Sequence, residues 1–256
     1  MDPIFRHVAA CNNAVVPGGR TPLRIGGAVV GFVEHGVLPA LLAAGADVQG
    51  DGLAVDAAGL DALVQALAAA GLVRWRDEAF DVRADPDGPV LATVDRGALP
   101  ALGIRAVGVH LNALVAGHGG PRLWVARRAA DKLLDPGKLD HLVAGGVPAG
   151  LTPWQTLEKE AEEEAGLPAS LLAGARHVGV VDYAMARDEG LRRDRLHCYD
   201  VDLPASFVPE PRDGEVEGFE LWTLPQALDR VRGTDDFKFN VNLVLIDLFR
   251  RHGLLD

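Results

Sequence analysis

The sequence is poor in cysteine, in basic residues and in long apolar runs, and each shortage excludes a class of protein. Cys11 and Cys198 are the only cysteines in 256 residues, which excludes a disulfide framework and a paired-cysteine zinc ribbon. The formal net charge of −11 disfavours general binding to nucleic acid or anionic membranes, because those partners attract basic surfaces. No apolar run is long enough to cross a bilayer, and the N-terminus lacks the features of a signal peptide. We therefore expect a cytoplasmic protein that binds neither nucleic acid nor membrane.

The rest of the composition is that of an ordinary globular protein with a substantial core. The chain is 48% hydrophobic and 24% charged, and its length suits one large or two modest domains. Strand and helix patterns predict a small α/β domain over residues 1–103 and a second domain over residues 104–256. Helices on both faces of a mixed sheet are the natural layer arrangement for the second domain, so the predicted class is α+β.

Local patterns predict the following elements in the first domain. They are a strand over Arg24–Val33, a short helix over Pro39–Ala44, a helix carrying Leu60 to Leu67 with Asp56 or Asp61 as its cap, and a hairpin of Leu72–Trp75 and Phe80–Arg83 about Asp77–Glu78. The same patterns apply in the second domain. There they predict strands over Arg105–Val115, Leu123–Arg127, His177–Tyr183, Leu196–Leu203 and Gly214–Trp222, a polar loop carrying Arg187, Arg192 and Arg193, and helices near Leu224–Val231 and Asn240–His252.

The most informative segment is Gly145–Leu167, where a glycine-rich turn precedes a helix dense in glutamate. Thr152 is a plausible N-cap for that helix, which ends at Gly166. Glu160, Glu163 and Glu164 stand at i, i+3 and i+4, so a helix places the three carboxylates on one face. Converging carboxylates repel one another unless a cation lies between them, and Mg²⁺ and Mn²⁺ prefer oxygen ligands. The spacing therefore predicts a divalent metal site.

The same segment resembles the Nudix box, G-x5-E-x7-R-E-U-x-E-E-x-G-U, in which U is a bulky apolar residue. Gly145 matches the first glycine, Glu160, Glu163 and Glu164 match the metal-facing glutamates, and Gly166 and Leu167 close the box. Gly145, Gly146 and Gly166 are interpreted as structural. Two positions depart from the pattern, since Leu151 replaces the first glutamate and Lys159 replaces the arginine.

Further segments extend the resemblance to the thiamin-pyrophosphokinase-related Nudix proteins. They are Gly108–Asn112, Leu123–Arg128, Pro136–Asp140, Asp213–Phe219 and Phe237–Asn240. The resemblance implies a Nudix α/β/α sandwich with a mixed sheet, preceded by a small N-terminal α/β domain. It also implies that lysine at position 159 is usual, whereas Leu151 stays a departure.

The resemblance assigns roles to the acidic residues of the box and to one later carboxylate. The predicted metal ligands are Glu160, Glu163, Glu164 and Glu215, with Glu163 and Glu164 also catalytic. Lys159 is expected to orient a neighbouring glutamate, less rigidly than arginine would. Glu217 is the alternative to Glu215, because strand alternation places both on one face.

Basic and aromatic residues supply weaker candidates. Arg127, Arg128 and Lys138 are the predicted substrate-binding cations, and Lys132, Lys238, Asn240 and Asn242 are weaker ones, although an isolated charge is more often a surface residue. His110 and His141 could transfer protons, yet packing is the commoner role of such histidines. Cys198 is interpreted as an inert core thiol. Trp124, Trp154 and Trp222 are more typical of packing than of ring stacking.

These observations predict a Nudix pyrophosphatase that uses Mg²⁺ or Mn²⁺ to cleave a diphosphate linkage in a small organic molecule. Thiamin diphosphate or its oxidised analogues, cleaved to the monophosphate, are the substrates that the resemblance implies. The alternatives are a nucleoside-diphosphate derivative as substrate, an isopentenyl-diphosphate-isomerase-like reaction that needs a reactive cysteine, and a non-catalytic ligand-sensing module. The sequence leaves a homodimer open.

Overall fold

Two small sheets and three helices build the N-terminal unit of the structure. The computed structural model describes residues 2–212 and 214–255, so the motif residue Asp213 lies outside the described residues. The elements of this unit are β1 (Thr21–Ile25), β2 (Ala28–Val33), α2 (Leu38–Ala43), β3 (Asp47–Gln49), β4 (Gly52–Ala54), α3 (Leu60–Ala69), β5 (Ala79–Val82), β6 (Ala92–Asp95) and α4 (Leu99–Leu102). Strands pair in the order β2-β1-β4-β3, with β5 and β6 as a separate pair, around one apolar core.

A mixed seven-stranded sheet forms the second unit. Its strands are β7 (Arg105–Val115), β8 (Arg122–Arg128), β9 (Leu139–His141), β10 (Val143–Gly146), β11 (Arg176–Arg187), β12 (Gly190–Leu203) and β13 (Val216–Thr223). The order is β11-β12-β7-β8-β13, and β10 pairs with β7 while β9 pairs with β8. Only β7 and β12 run parallel among these described strands. Because β7 pairs with β10 over one stretch and with β8 over another, the sheet opens between β10 and the β8–β9 pair.

Helices cover both faces of this sheet, which gives the α+β sandwich that the sequence predicts. The helices are α1 (Phe5–Cys11), α5 (Pro153–Ala165), α6 (Ala169–Leu172), α7 (Leu224–Gly233) and α8 (Val241–Arg251). The core between α5 and the sheet includes Val109, Leu111 and Leu157, whereas residues on the other side pack with α7 and α8. Strand alternation along β7 therefore separates an α5 face from an α8 face.

The boundary at residues 103 and 104 stays a prediction, and the structure adds a detail to it. Helix α1 lies at the N-terminus, yet Ile4 shares a core with α7 and α8, and Cys11 shares another with β12. The first helix thus packs against the second unit, whose last helix it touches. Among the described residues, no helix is long and apolar enough to cross a membrane.

Several local predictions were wrong, each for a physical reason. The hairpin about Asp77–Glu78 is absent, because Asp95 accepts hydrogen bonds from the amides of Arg76 and Glu78 and holds that segment irregular. Strand β5 pairs with β6 instead. The strand predicted over Arg24–Val33 is a hairpin that turns at Gly26 and Gly27, both with positive φ.

Two further corrections concern a helix cap and a loop. Neither Asp56 nor Asp61 caps α3, whose N-cap is Gly59 without a side-chain hydrogen bond. Arg192 and Arg193 lie within β12 and Arg187 ends β11, because a two-residue turn joins these strands where a polar loop was predicted.

Candidate active site on helix α5

Helix α5 carries the glutamates, and its ends are fixed by local sequence. The Thr152 side chain accepts a hydrogen bond from the amide of Gln155, and Oε1 of Gln155 accepts one from the amide of Thr152, which completes a capping box. Pro153 occupies the first turn, where a missing N–H carries no penalty. Gly166 ends the helix with φ 61°, a left-handed conformation that favours glycine. The predicted helix from Thr152 to Gly166 is thus confirmed.

Glu160 reaches the sheet because Gly145 has no side chain. A Cβ atom at Gly145 would lie 2.7 Å from Cγ and Cδ of Glu160, closer than non-bonded carbons approach. The Glu160 side chain is only 17% exposed. Burial raises the pKa of Glu160, while Lys159 opposes that shift and Glu163 and Glu215 add to it. Glu160 can therefore occupy this position only because Gly145 has no side chain.

Glu164 is the most deeply buried carboxylate of the box. Its residue is 7% exposed, and its Oε2 accepts a hydrogen bond of 3.0 Å from the amide of Ala144 on β10. Burial raises the pKa of Glu164 well above its usual range, and the hydrogen bond from Ala144 opposes the shift only in part. The negative charges of Glu160, Asp140 and Glu215 raise the pKa further.

Glu163 and Lys159 form the solvent-facing part of the same helix surface. Lys159 Nζ lies 2.8 Å from Glu163 Oε2 and 3.4 Å from Glu160 Oε1, and both Lys159 and Glu163 are about half exposed. The hydrogen bond to Glu163 raises the pKa of Lys159. Lysine in the arginine position therefore bridges two box glutamates as a point charge.

A small cavity opens beside Glu164, between β10 and the β8–β9 pair. Its lining consists of Arg128, Asp140, His141, Ala144, Glu164, Glu215 and Val216. Glu215 forms an ion pair with Lys132 at the cavity rim. Glu217 points elsewhere, since its Oε1 accepts a hydrogen bond of 3.0 Å from the amide of Ala130. The structure thus brings Glu215 to the box glutamates and directs Glu217 to a neighbouring loop.

Arg128 and Asp140 form a buried ion pair in the wall of this cavity. Arg128 Nη1 donates to Asp140 Oδ2 at 2.8 Å, and Lys238 Nζ lies 3.5 Å from the same oxygen. Burial alone would raise the pKa of Asp140, but the positive charges of Lys238 and Arg128 contribute to lowering it to about 2. Arg128 also donates to the carbonyl oxygens of Leu134 and Asp135. Much of its hydrogen-bonding capacity is thus used inside the protein.

Two buried histidines adjoin the ion pair. His110 Nδ1 and His141 Nδ1 are 2.9 Å apart, so one ring nitrogen donates a hydrogen bond to the other. Burial lowers the pKa of His141 to about 4 and that of His110 well below its usual range, which keeps both rings neutral. Among the described residues, His110, Asp140 and His141 also form a group whose ligand atoms converge within 4.8 Å.

This arrangement was only partly visible in the sequence. His110 and His141 were candidates taken singly, whereas their contact depends on the pairing of β7 with β10 and of β8 with β9. Asp140 ends the motif segment Pro136–Asp140, but the sequence indicates no role for it. In the sequence, Asp140 is a single aspartate in the short strand before the box. That pattern is too common to indicate a function.

Two of the predicted substrate-binding cations, Arg127 and Lys138, lie apart from this cavity. Arg127 and Lys138 line a surface pocket with Trp222 and Arg230, and neither lines the cavity beside Glu164. Alternation along β8 explains the difference, because neighbouring residues of a strand point to opposite faces. Lys138 Nζ donates to the carbonyl oxygen of Asp235 at 3.0 Å. Of the three predicted substrate-binding cations, the structure brings only Arg128 to the glutamates.

Packing accounts for two other sequence features. Leu151, in the place of the first box glutamate, packs against the apolar core between α5 and the sheet. Cys198 is fully buried, and burial raises the pKa of its thiol to about 12. A thiol in that state is a poor nucleophile and a poor acid–base group near neutral pH.

The donor set of the α5 site fits a hard divalent cation. Glu160 and Glu164 are carboxylates whose pKa burial raises, and Glu215 adds negative charge at the same cavity. An oxygen-binding dication would offset that burial penalty and the repulsion among the carboxylates. The neutral rings of His110 and His141 suit a softer metal. The carboxylate of Asp140, the third member of that group, already forms ion pairs with Lys238 and Arg128.

Comparison with known proteins identifies the family. The NUDIX domain model matches residues 106–241, more than half of the chain, and a domain of unknown function, DUF4743, matches residues 55–106. The chain therefore belongs to the Nudix family. The matched segment contains the box, the buried ion pair and Glu215, which directly precedes β13.

Curated relatives agree with this assignment, and a solved structure shares the fold. Nudix hydrolase 20, chloroplastic, and Nudix hydrolase 24, chloroplastic, both from Arabidopsis thaliana, are each 42% identical to the chain over 180 residues. The aligned region is 70% of this chain but 48% and 49% of those proteins, so the chain spans about half their length. The crystal structure of DR0079 from Deinococcus radiodurans shares the fold, with a TM-score of 0.52 and 22% identity over 68% of this chain and 100% of that one.

Proposed function

We propose that the protein is a Nudix pyrophosphatase that uses Mg²⁺ or Mn²⁺ to hydrolyse a diphosphate linkage. The observation that carries the proposal is the buried carboxylate of Glu164, which has a backbone amide as its hydrogen-bond donor and three further carboxylates around it. A buried carboxylate in such surroundings is destabilising unless the site serves to bind a cation. Membership of the Nudix family supports the reaction class.

The proposed ligands are Glu160, Glu163, Glu164 and Glu215. When bound, the cation supplies charge neutralisation for the phosphate oxygens and makes a water molecule more acidic. Lys159 holds Glu163 at 2.8 Å and thereby fixes a carboxylate that is otherwise exposed. Glu163 and Glu164 are the proposed catalytic carboxylates, and whichever is not engaged by the cation can accept the proton of the attacking water.

The organic part of the substrate is a finer proposal. Thiamin diphosphate or an oxidised analogue follows from the resemblance to the thiamin-pyrophosphokinase-related Nudix proteins, with the monophosphate and inorganic phosphate as products. A nucleoside-diphosphate derivative is the alternative. Of the predicted cations, Arg128 adjoins the cavity, whereas a role for Arg127 and Lys138 requires the substrate to extend to the neighbouring surface pocket.

The cellular setting is likewise a proposal. We retain a cytoplasmic location and a small-molecule diphosphate as partner, with a homodimer left open. The names of the two plant relatives place those proteins in the chloroplast. Fractionation of cells with an antibody to this chain would decide its own location.

A substrate screen with matched variants tests the reaction. Purified protein with Mg²⁺ or Mn²⁺ is offered thiamin diphosphates, nucleoside-diphosphate sugars, dinucleotides and isopentenyl diphosphate, while phosphate and organic products are followed. Glu163→Gln and Glu164→Gln should lose turnover, whereas Glu158→Gln and Glu162→Gln, exposed on the same helix, should keep it. Turnover that survives both changes in the box would refute the proposal. Tight ligand binding without products would favour the sensing module.

The isomerase alternative has a specific observation against it. That reaction needs a reactive cysteine at the site, and burial keeps the thiol of Cys198 protonated. Cys11 is also buried, and burial raises the pKa of its thiol to about 12. Product analysis with isopentenyl diphosphate separates the two reactions, because isomerisation releases no phosphate.

A further inference from the structure

The loop that joins β10 to α5, residues 147–150, is bound by the N-terminal unit. The amide of Ala149 donates to the carbonyl oxygen of Ala79 at 2.7 Å, and the amide of Gly150 lies 3.3 Å from Asp81 Oδ1. Both acceptors belong to β5, whereas the amide of Val147 donates to Val107 in the second unit. A segment of the Nudix box is therefore held between the two units.

Phe80, between these two acceptors, fills the space beside Gly146. A Cβ atom at Gly146 would lie 2.6 Å from Cζ of the Phe80 ring and 3.2 Å from Cε1. Phe80 is only 3% exposed, and the Arg96 guanidinium lies 5.6 Å from its ring centre. The ring thus packs directly on the backbone of the box rather than on a side chain that could move aside.

The strand that presents Phe80 is itself fixed. Asp95 at the end of β6 accepts hydrogen bonds from the amides of Arg76, Glu78 and Gly97, and the Arg96 side chain pairs with Glu78 at 2.8 Å. These contacts hold the chain that leads into β5, while β6 pairs with β5 along its length. Such support makes β5 a rigid surface for the loop to rest on.

Consecutive glycines connect this surface to the glutamates. Gly145 contacts Glu160, and Gly146, the next residue, contacts Phe80. Strand alternation puts the two contacts on opposite sides of the same backbone, so a shift of β10 toward Phe80 would also move the wall against which Glu160 rests. Leu151, which follows this loop, has no polar side-chain atom that could bind it, whereas β5 supplies acceptors to the amides of Ala149 and Gly150.

We propose that Phe80 is a positioning residue of the glutamate site, and that the N-terminal unit serves to hold the box loop in the conformation that metal binding requires. For catalysis the inference rests on the proposed hydrolase function, but its structural part does not. The N-terminal unit thereby contributes to the site by positioning the box loop.

A size-exchange experiment tests the contact. Gly146→Ala should weaken Mn²⁺ binding about 10-fold, the lower end of effects seen for residues that support metal ligands. It should lower kcat with little change in KM. Adding Phe80→Leu to Gly146→Ala should restore most of the Mn²⁺ affinity, because the smaller side chain leaves room for the new methyl group. Gly119→Ala is the matched control, since a Cβ there meets nothing within 4 Å.

Two outcomes would overturn the inference. A folded Gly146→Ala protein that binds Mn²⁺ like the wild type would show that the contact does not set the site. If Phe80→Leu did not restore affinity in the double variant, contact between Phe80 and the new methyl group would not be the cause of the lost Mn²⁺ affinity. Thermal melting of every variant separates loss of affinity from loss of folding.

If Gly146→Ala does not fold, amide hydrogen exchange in the Phe80→Leu variant tests the inference instead. In Phe80→Leu alone, the amides of Ala149 and Gly150 should exchange at least several-fold faster than in the wild type, with weaker Mn²⁺ binding. Unchanged exchange at both amides would refute the positioning role. This measurement uses no substrate, so a protein that shows it but hydrolyses no diphosphate would refute the proposed function alone.

Discussion

Asp140 and Glu164 are both buried carboxylates that line the same cavity, yet their pKa values shift in opposite directions. Asp140 receives a guanidinium hydrogen bond from Arg128, an ion pair from Lys238 and the amide of His141, and its pKa falls to about 2. Glu164 receives the amide of Ala144, and burial raises its pKa well above the usual range. Equal burial with unequal pairing therefore shifts the two pKa values in opposite directions.

The difference supports a structural role for Asp140 and the proposed metal-binding role for Glu164. A buried charge that the chain itself neutralises is complete and has no need of a ligand. A buried carboxylate without a cation partner from the chain is costly, and such groups cluster at sites that bind ions or transfer protons. The contrast between Asp140 and Glu164 thus supports the proposed metal site at Glu164 better than acidity alone, because both residues are acidic and line the same cavity.

The largest expected effect comes from Glu164→Gln. The amide keeps the shape and the hydrogen bond from Ala144 but cannot carry the charge that a cation requires. We expect kcat to fall by about 100-fold or more, the scale of losing one preorganised electrostatic contact. Addition of Mn²⁺ should raise the melting temperature of the wild type and have little effect on this variant.

The control for this change is Glu158→Gln, on the exposed side of the same helix. It should keep both the turnover and the stabilisation by Mn²⁺. If Glu164→Gln retained them as well, Glu164 would be a buried structural acid like Asp140 and the contrast would fail.

Asp140→Asn is expected to act on folding rather than on metal binding. It leaves Arg128 and Lys238 buried without a counter-charge, and breaking a buried pair in this way costs about 3–5 kcal/mol of unfolding free energy. Urea unfolding measures the loss. Asp202→Asn, which breaks an exposed pair with Arg176, should cost at most about 1 kcal/mol. A loss for Asp140→Asn no larger than that control would show that the buried pair is not structural.

The pH dependence of stability in metal-free protein should have opposite signs for the two carboxylates. The raised pKa of Glu164 means that the folded state retains a proton which the unfolded state has lost, so this group destabilises the fold increasingly as pH rises above 4.5, its ordinary value. The lowered pKa of Asp140 gives stability that is present above 3.8 and is lost as pH falls toward about 2.

Urea unfolding across pH, without metal, checks this prediction. The stability of Glu164→Gln relative to the wild type should increase as pH rises above 4.5. The deficit of Asp140→Asn should shrink on acidification below pH 3.8. A constant difference for Glu164→Gln across the range would mean that Glu164 has an ordinary pKa in the folded protein.

The sequence predicted the site where local rules apply and missed it where strand pairing decides. Helix spacing placed Glu160, Glu163 and Glu164 on one face, and capping rules gave both ends of α5. The α+β sandwich followed from element order and from the resemblance. Asp140 and the pair of buried histidines were not assigned, because their contacts depend on the register of β7 with β10 and of β8 with β9.

The N-terminal unit shows the same limit more strongly. Its helices followed apolar spacing, but its hairpin was misplaced because Asp95, distant in sequence, binds the amides of Arg76 and Glu78. The contact of Phe80 with Gly146 joins residues 66 positions apart and leaves no local pattern. Propensity therefore predicts elements, whereas the contacts that position a site across two units require the fold.

The smallest predicted effect concerns Glu163, which stands between the two extremes because it is half exposed and paired with Lys159. Lys159→Ala should reduce stability by only about 0.3–0.5 kcal/mol, the usual size of an exposed i,i+4 pair. It should lower kcat several-fold by releasing Glu163, and Lys159→Arg should retain activity because a guanidinium can bridge the same two carboxylates. Steady-state kinetics and urea unfolding measure both effects. A loss of kcat as large as that of Glu164→Gln would instead mean that Lys159 contacts the substrate, since an exposed pair that only orients one ligand cannot account for it.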